Sequence, residues 1–240
     1  MKKVRLFGSG IRGQIVADLI HWQFSKRFVV DGFYDDHYPN IKVGPGGHPV
    51  LGTVTDGIAQ LSRAKDRSAF VGLGTKASAR SCEVFLELRS RGVEIISLVS
   101  PTAHVSPSAK IGLNALIFPG AYVGSQVHIG DLVCVHAGTA IEHHSRIGHN
   151  VLLGPGCALS GYARIDNHAF LGAGCKIIPL ARVGTGSFLG AGSVVVDDVP
   201  AHVVAYGVPA VKKRAVQAGD EVPTRVAIDR LTKLGMETLP

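Results

Sequence analysis

Two groups of residues combine residue types and spacing that are suited to chemistry. The first is Gly8-Ser9-Gly10-Ile11-Arg12-Gly13, a GxGxxG pattern that follows Val4-Arg5-Leu6-Phe7, which we predict to be a buried strand. An amphipathic segment follows it, with apolar residues at Ile15, Val16, Leu19, Ile20 and Trp22. Between a strand and a helix, such glycines leave backbone N–H groups and the helix N-terminus free to receive a phosphate. We predict a phosphate-binding loop that includes Gly8 and Gly10, with Arg12 as a contact to a diphosphate.

The ends of the next predicted strands extend this site. Residues 28–34 form a strand that ends in Asp35 and Asp36, about 20 positions after the glycines, where such folds contact a ribose or base. A third strand, 68–74, ends in Gly74, and a helix and a fourth strand at 94–99 follow. Only about 95 residues precede the repeat described below, which favours a mononucleotide over NAD. Residues 36–54 either border the nucleotide site or form a plain connecting loop.

The second group is Glu142, His143 and His144, which are adjacent in the sequence. Imidazole has a pKa near neutrality, so it can remove a proton from a substrate and return it at physiological pH. Histidines at 104, 128, 136, 149 and 168 lie in the same part of the chain, and we expect these to be polar surface or interface residues. A metal site is not expected, because their spacing does not bring three ligands together.

These histidines lie in a repeat with a period of six. An aliphatic residue occupies every sixth position from Val99 to Val195, and a small or β-branched residue follows four places later, from Ala103 to Val199. A helix needs a period near 3.6 and a strand needs alternation, so this period indicates a parallel β-helix. Three hexads would form one coil, and the frequent glycine after the aliphatic residue is expected to allow a turn with positive φ.

Composition limits the remaining possibilities. The chain has 240 residues, 46% of them hydrophobic, a net charge of +7 and four cysteines without zinc-site spacing. No apolar run approaches the roughly 20 residues of a membrane span, so we expect a cytoplasmic protein without membrane contact. Scattered basic residues argue against nucleic acid, while the positive charge suits nucleotide diphosphates and coenzyme A.

The glycine-rich α/β segment, the uninterrupted hexapeptide tract, Ile141-Glu142-His143-His144-Ser145-Arg146-Ile147-Gly148 and the terminal Tyr206-Gly207-Val208-Pro209-Ala210 resemble the NeuD/PglD-type sugar acyltransferases of bacteria. The resemblance implies an α/β half-Rossmann N-terminal domain followed by a left-handed parallel β-helix of hexapeptide repeats, assembled as a homotrimer. We divide the chain into a nucleotide-sugar-binding domain (1–98), an acyltransferase coil (99–205) and a C-terminal tail (206–240), with a short helix at 226–234.

The resemblance also implies roles for individual residues. His143 corresponds to the catalytic histidine, and the Gly161 N–H faces the thioester carbonyl. Acetyl-CoA lies in grooves between coils. We place Gly161, Ala173, Ala191, Lys212 and Lys213 at acetyl-CoA. The nucleotide sugar is assigned to the glycine loop and strand ends predicted above, at Gly8, Gly10, Arg12, Asp35, Asp36 and Gly74.

Three positions depart from the family pattern. His144 replaces a carboxylate that orients the catalytic ring; as a neutral imidazole it can still accept the hydrogen bond, and Glu142 or a backbone carbonyl is the alternative partner, so His144 and Glu142 are predicted beside His143 in the catalytic group. Leu152 replaces a second histidine near the acetyl group, and Arg12 lies in a loop that often carries a histidine.

The function predicted is acetyl-CoA-dependent N-acetylation of the 4-amino group of a nucleotide-linked 4-amino-4,6-dideoxy sugar, in bacterial glycan or O-antigen biosynthesis. The alternatives are O-acetylation of a sugar or sialic acid, and a catalytically weak scaffold that binds nucleotide sugars.

Overall fold

The N-terminal part is a parallel sheet flanked by helices. The computed structural model describes residues 1–64, 68–74, 78–217 and 220. The elements before the repeat are β1 (Lys2–Phe7), α1 (Ile11–Gln23), β2 (Phe28–Tyr34), a 3-10 turn (Pro45–Gly47), β3 (Val50–Gly52), α2 (Val54–Arg63), β4 (Ser68–Val71), α3 (Ser78–Ser90) and β5 (Glu94–Ile95). The strand order is β3-β2-β1-β4-β5.

The two faces of this sheet have separate cores. Helix α1 packs on one face with Val4 and Leu6, and α2 and α3 pack on the other with Phe7 and Tyr34. The chain order reverses between β1 and β4, so the carboxyl ends of these two strands border a crevice. The glycine loop after β1 and Gly74 after β4 therefore lie at the same edge.

Several sequence expectations for this part are wrong in detail. Trp22 is 70% exposed and does not belong to the buried face of α1. The third strand ends at Val71 rather than at Gly74. The expected fourth strand is divided between β5 and a coil strand, because the Leu98 N–H donates to the Ala115 carbonyl. Segment 36–54 is not a plain loop, since it contains β3, which pairs with β2.

The repeat forms a coil of two-residue strands in three sheets. These strands are β6 (Leu98–Val99), β7 (His104–Val105), β8 (Lys110–Ile111), β9 (Leu116–Ile117), β10 (Tyr122–Val123), β11 (His128–Ile129), β12 (Cys134–Val135), β13 (Ala140–Ile141), β14 (Arg146–Ile147), β15 (Leu152–Leu153), β16 (Ala158–Leu159), β17 (Arg164–Ile165), β18 (Phe170–Leu171), β19 (Lys176–Ile177), β20 (Arg182–Val183), β21 (Phe188–Leu189) and β22 (Val194–Val195). Each pairs in parallel with the strand 18 residues away, as Val123 does with Ile141, so three hexads make one coil.

Each coil has three faces. The first contains β7, β10, β13, β16, β19 and β22, the second β8, β11, β14, β17 and β20, and the third β6, β9, β12, β15, β18 and β21. The third face continues into β23 (Val203–Gly207) and its antiparallel partner β24 (Ala210–Ala215). The predicted domain boundaries at 98/99 and 205/206 fall within strands β6 and β23. The predicted helix at 226–234 lies outside the described residues.

The two predicted columns form the core of the coil. The aliphatic column is buried from Ile117 to Val195, and the small-residue column from Ala115 to Val199. The expected reason for the glycines is wrong, because positive φ occurs two residues later, as at His144. Where a glycine does follow the aliphatic residue, the next coil lies too close for a Cβ: one on Gly172 would lie 2.6 Å from the Ala191 nitrogen.

The N-terminal part packs on the third face of the coil. Leu98, Leu116 and Cys134 share one hydrophobic cluster with Val16 and Ile20 of α1. This contact brings the glycine loop beside the coil. Among the described residues, no helix is long and apolar enough to cross a membrane.

Candidate active site

The glycine loop packs closely against the ends of β1 and β4. Gly8 has φ +103°, and a Cβ there would lie 3.0 Å from the Gly72 carbonyl oxygen. A Cβ on Gly13 would lie 2.1 Å from the Gly8 carbonyl oxygen, so α1 can begin this close to β1 only with glycine at 13. The loop therefore has a compact backbone that leaves room for a ligand at its open edge.

Asp35 holds this loop in place. Its Oδ2 accepts hydrogen bonds from the Ser9 N–H and hydroxyl, both at 2.7 Å. Its Oδ1 accepts from the His37 N–H at 3.0 Å and the His37 Nδ1–H at 2.7 Å. Burial alone would raise the pKa of Asp35, but these hydrogen bonds, led by the Ser9 N–H, lower the pKa to about 2.

These contacts correct the expected role of Asp35. A carboxylate has about four acceptor positions, and the four contacts from Ser9 and His37 occupy them. Asp35 is also only 8% exposed, so its carboxylate is not available to a ribose or base. Asp36 is more open, with a side chain that is 55% exposed and accepts from the Val54 N–H at 3.0 Å.

Replacing Asp35 with asparagine is expected to lower the free energy of unfolding at pH 7 by about 2 kcal/mol, because the four donors of Ser9 and His37 lose a charged acceptor. The folded-state pKa lies below the usual 3.8, so this stabilisation is present above pH 4 and is lost as the pH falls toward 2. Thermal unfolding at pH 7 and pH 3 measures it, with Asp18→Asn as an exposed control. If the difference in free energy of unfolding between Asp35→Asn and wild type is as large at pH 3 as at pH 7, the stabilising role assigned to the Asp35 carboxylate is wrong.

Arg12 and Gly74 border a cavity between the glycine loop and the coil, which we call the interdomain cavity. Its volume is about 370 Å³. Its remaining lining comes mainly from the coil: Leu132, Asn150, Leu152, His168, Phe170, Thr185, Gly186, Phe188 and His202, with Ala79, Ser81 and Val216 among the others. Arg12 is half-buried and makes no ion pair with any described residue, so its positive charge is available to an anion.

His143 lies at the corner of the coil between β13 and β14, on the outer surface. Its Nδ1 is 3.2 Å from the Nδ1 of His144, and the two rings are nearly perpendicular. His144 in turn stacks on Tyr162, with ring centroids 4.8 Å apart. His144 thus provides the partner for His143, and the described contacts of Glu142 include no hydrogen bond to His143.

Gly161 lies one coil above His143 and directly against its ring. A Cβ at Gly161 would lie 2.7 Å from Cε1 and 2.8 Å from Nε2 of His143. The next residue, Tyr162, donates its N–H to the His143 carbonyl at 3.0 Å. The Gly161 N–H itself has no hydrogen-bond acceptor within the described part of the chain. The corner therefore combines an imidazole Nε2 with an unused backbone donor.

The predicted site residues form two groups within one chain. Gly8, Gly10, Arg12 and Gly74 lie at the interdomain cavity or its loop, whereas His143, His144 and Gly161 lie at a different corner of the coil. Ala173 and Ala191 stack one coil apart at the corner between the third and first faces. Lys212 and Lys213 are exposed on β24, with Lys213 Nζ 4.9 Å from the ring centroid of Tyr206.

Sequence reasoning missed several residues that shape these groups. Ser9 and His37 bind Asp35, and Tyr162 packs against His143 and His144. A search for residues 18 positions from His144 would have found Tyr162, because the repeat stacks such positions. No comparable signal marks His37. Within the described residues, no cluster of three or more His, Cys, Asp or Glu side chains could hold a metal ion.

No family model matches the sequence, and no curated protein matches it. Solved structures are similar over most of the chain. PerB from Caulobacter crescentus, in complex with CoA and GDP-perosamine, is 28% identical with a TM-score of 0.79, covering 89% of this chain and 98% of that one. A mutant of perosamine N-acetyltransferase from the same organism is 27% identical with a TM-score of 0.80, covering 89% and 97%. The acetyltransferase domain of PglB from Neisseria gonorrhoeae, in complex with acetyl coenzyme A, is 26% identical with a TM-score of 0.77, covering 88% and 99%.

Proposed function

This chain is similar in sequence and fold to sugar N-acetyltransferases of the NeuD/PglD type, and from that premise we propose that it transfers an acetyl group from acetyl-CoA to the 4-amino group of a nucleotide-linked 4-amino-4,6-dideoxy sugar. The neighbours include proteins solved with CoA, acetyl coenzyme A and GDP-perosamine. The same proposal includes a left-handed coil and a role in glycan or O-antigen biosynthesis in the cytoplasm.

One observation carries the proposal: Nε2 of His143 faces the open backbone at Gly161. Space exists beside the ring only because residue 161 has no side chain, since a Cβ would lie 2.8 Å from Nε2. Direct acyl transfer needs a base for the amine and a hydrogen-bond donor for the carbonyl oxygen. The His143 ring and the Gly161 N–H supply these two groups at one corner.

His143 acts in this proposal as the general base. In the tautomer that this role requires, Nδ1 of His143 carries the hydrogen and donates it to His144 Nδ1, 3.2 Å away, which leaves the Nε2 lone pair for the amine. As the amine nitrogen bonds to the thioester carbonyl carbon, Nε2 takes one amine proton. The Gly161 N–H donates to the carbonyl oxygen, which carries negative charge in the tetrahedral intermediate. The C–S bond then breaks, and the imidazolium returns the proton to the thiolate sulfur.

Arg12 and the glycine loop hold the nucleotide end of the acceptor in this proposal. The guanidinium is half-buried without an ion pair among the described side chains, and it can form two parallel hydrogen bonds to phosphate oxygens. Gly8, Gly10 and Gly74 allow the diphosphate to approach the backbone, and Asp36 is the open acidic residue nearby. Ala173, Ala191, Lys212 and Lys213 remain the proposed contacts of acetyl-CoA.

A homotrimer completes the site in this proposal. In one chain the interdomain cavity lies where the second face of the coil meets the third, whereas His143 lies where the first meets the second. One copy can therefore present its acceptor to the His143 corner of another. Sedimentation should report a trimer, and a fully active monomer would contradict this arrangement.

The reaction is tested by free thiol release from acetyl-CoA with UDP-, GDP- and dTDP-linked 4-amino-4,6-dideoxyhexoses and with sialic acid. We expect strong release with one nucleotide-linked amino sugar. Release with sialic acid alone would favour O-acetylation. Binding of a nucleotide sugar without release in any mixture would favour a scaffold.

Replacing Arg12 with glutamine is expected to weaken binding of the preferred nucleoside diphosphate about tenfold, because a charged contact to phosphate is lost. Titration calorimetry with GDP, UDP and dTDP measures this change. Arg91→Gln is a matched control, because Arg91 pairs with Glu87 on α3 at 2.8 Å. Equal affinities of Arg12→Gln and wild type would exclude Arg12 from the diphosphate site.

A further inference from the structure

The interdomain cavity has an apolar floor on the third face of the coil. Leu152, Phe170 and Phe188 stand one above another in register, on β15, β18 and β21. The rings of Phe170 and Phe188 stack with centroids 5.6 Å apart. Such a floor accepts a hydrocarbon edge of a ligand and offers it no hydrogen bonds.

One edge of the cavity carries a polar group with a defined donor. His168 adopts φ +61°, and its Nδ1 accepts a hydrogen bond from Asn150 Nδ2 at 3.0 Å. The neutral ring must then carry its hydrogen on Nε2, which has no partner among the residues that the structure describes. Burial, together with nearby His149 and His202, lowers the pKa of His168, which favours the neutral ring.

We propose that the interdomain cavity receives the sugar ring of the acceptor, with His168 Nε2–H as a hydrogen-bond donor to the sugar and the Leu152, Phe170 and Phe188 floor against its deoxygenated edge. This inference rests on the proposed function, which places the diphosphate at Arg12 and Gly74. Those two residues line the same cavity as His168. A hexose joined to the diphosphate would therefore enter this space, whose size lies within the roughly 300–1,000 Å³ of ligand pockets.

The floor would also determine which sugars are accepted. A methyl group at C6 buries against the phenylalanine rings without a polar cost, whereas a hydroxymethyl group would lose hydrogen bonds to water. In this proposal His168 donates its hydrogen bond to the sugar, so its loss should weaken binding of the nucleotide sugar and not of the free nucleoside diphosphate.

The test compares ligands with and without the sugar. The probes are GDP-, UDP- and dTDP-linked 4-amino-4,6-dideoxyhexoses, each measured beside its free nucleoside diphosphate by titration calorimetry, without acetyl-CoA. The variant is His168→Gly, because glycine tolerates positive φ and removes only the ring. Gln126→Gly is the matched control, since Gln126 is exposed and has φ +59° at the corresponding position of another corner.

We expect His168→Gly to weaken the nucleotide sugar about tenfold and to leave the free diphosphate unchanged, while Gln126→Gly changes neither. A 6-hydroxy analogue of the sugar should bind wild type more weakly than the 6-deoxy sugar. Thiol release by wild type combined with unchanged sugar binding in His168→Gly would overturn this inference and leave the proposed reaction standing. If His168→Gly shows the expected binding difference but wild type releases no thiol, this inference stands and the proposed reaction is overturned. If none of the three nucleotide sugars binds, the inference and the proposed reaction are both overturned.

Discussion

Replacing His143 with alanine is expected to lower kcat for acetyl transfer by about a thousandfold, within the usual range for loss of a general base. The amine must lose a proton as it attacks. The other imidazole that the structure describes at this corner, that of His144, is stacked on Tyr162, so we do not expect it to replace His143 as the base. His143 is exposed and touches no core cluster, so the fold should be unaffected. Stopped assays of thiol release measure kcat, and calorimetry with acetyl-CoA measures whether its binding is retained.

His104→Ala is the matched control for this prediction, because His104 is an exposed histidine on β7 of the same coil. It should retain wild-type kcat. If His143→Ala also retained it, another group would have to be the base and the proposed mechanism would be wrong. A loss of acetyl-CoA binding in His143→Ala would instead point to a structural role for the ring.

Replacing Gly161 with alanine is expected to lower kcat by about a hundredfold, because displacement of a catalytic group by about 1 Å has an effect of this size. The new Cβ would lie 2.7 Å from Cε1 of His143, so the ring must move. The ring is at the end of an exposed side chain and can move without unfolding the coil. The melting temperature should therefore stay close to that of wild type while catalysis falls.

A double-variant cycle separates this mechanism from general damage to the coil. In a His143→Ala background the ring is absent, so Gly161→Ala should cause no further loss of kcat. Ser125 and Pro179 occupy the corresponding corner positions one coil below His143 and one coil above Gly161, which indicates that this corner accepts a Cβ. Additive losses in the double variant would contradict an effect transmitted through His143.

The coil was the most predictable part of the molecule. Every strand of the repeat contacts residues 18 positions away, and every coil repeats the same geometry, so a short-range pattern determines the long-range pairing. The same regularity placed Gly161 over His143. It did not explain the glycines correctly, because the distance between adjacent backbones, which requires them, is a property of stacked coils.

The N-terminal part was less predictable. Its pattern indicated β1, α1 and β2, whose bounds depend on local apolar spacing. Strand β3, which lies in a glycine- and proline-rich stretch, and helix α2, which follows that stretch, were missed. The position of Asp35 suggested a ligand contact. An acidic residue at the end of β2 can either contact the ligand or hold the glycine loop in place. Only the folded chain shows that Ser9 and His37 occupy its oxygens.

The amino-acid sequence by itself determined the repeat, the buried columns and the position of the His143 corner, because these depend on spacing within one or two coils. Only the tertiary structure decided the interdomain cavity, the open charge of Arg12 and the orientation of His168. These arise where the third face of the coil meets the glycine loop, and Arg12 and His168 are 156 positions apart in the chain. No periodicity links residues at such a separation, so their proximity follows from how α1 packs on the coil.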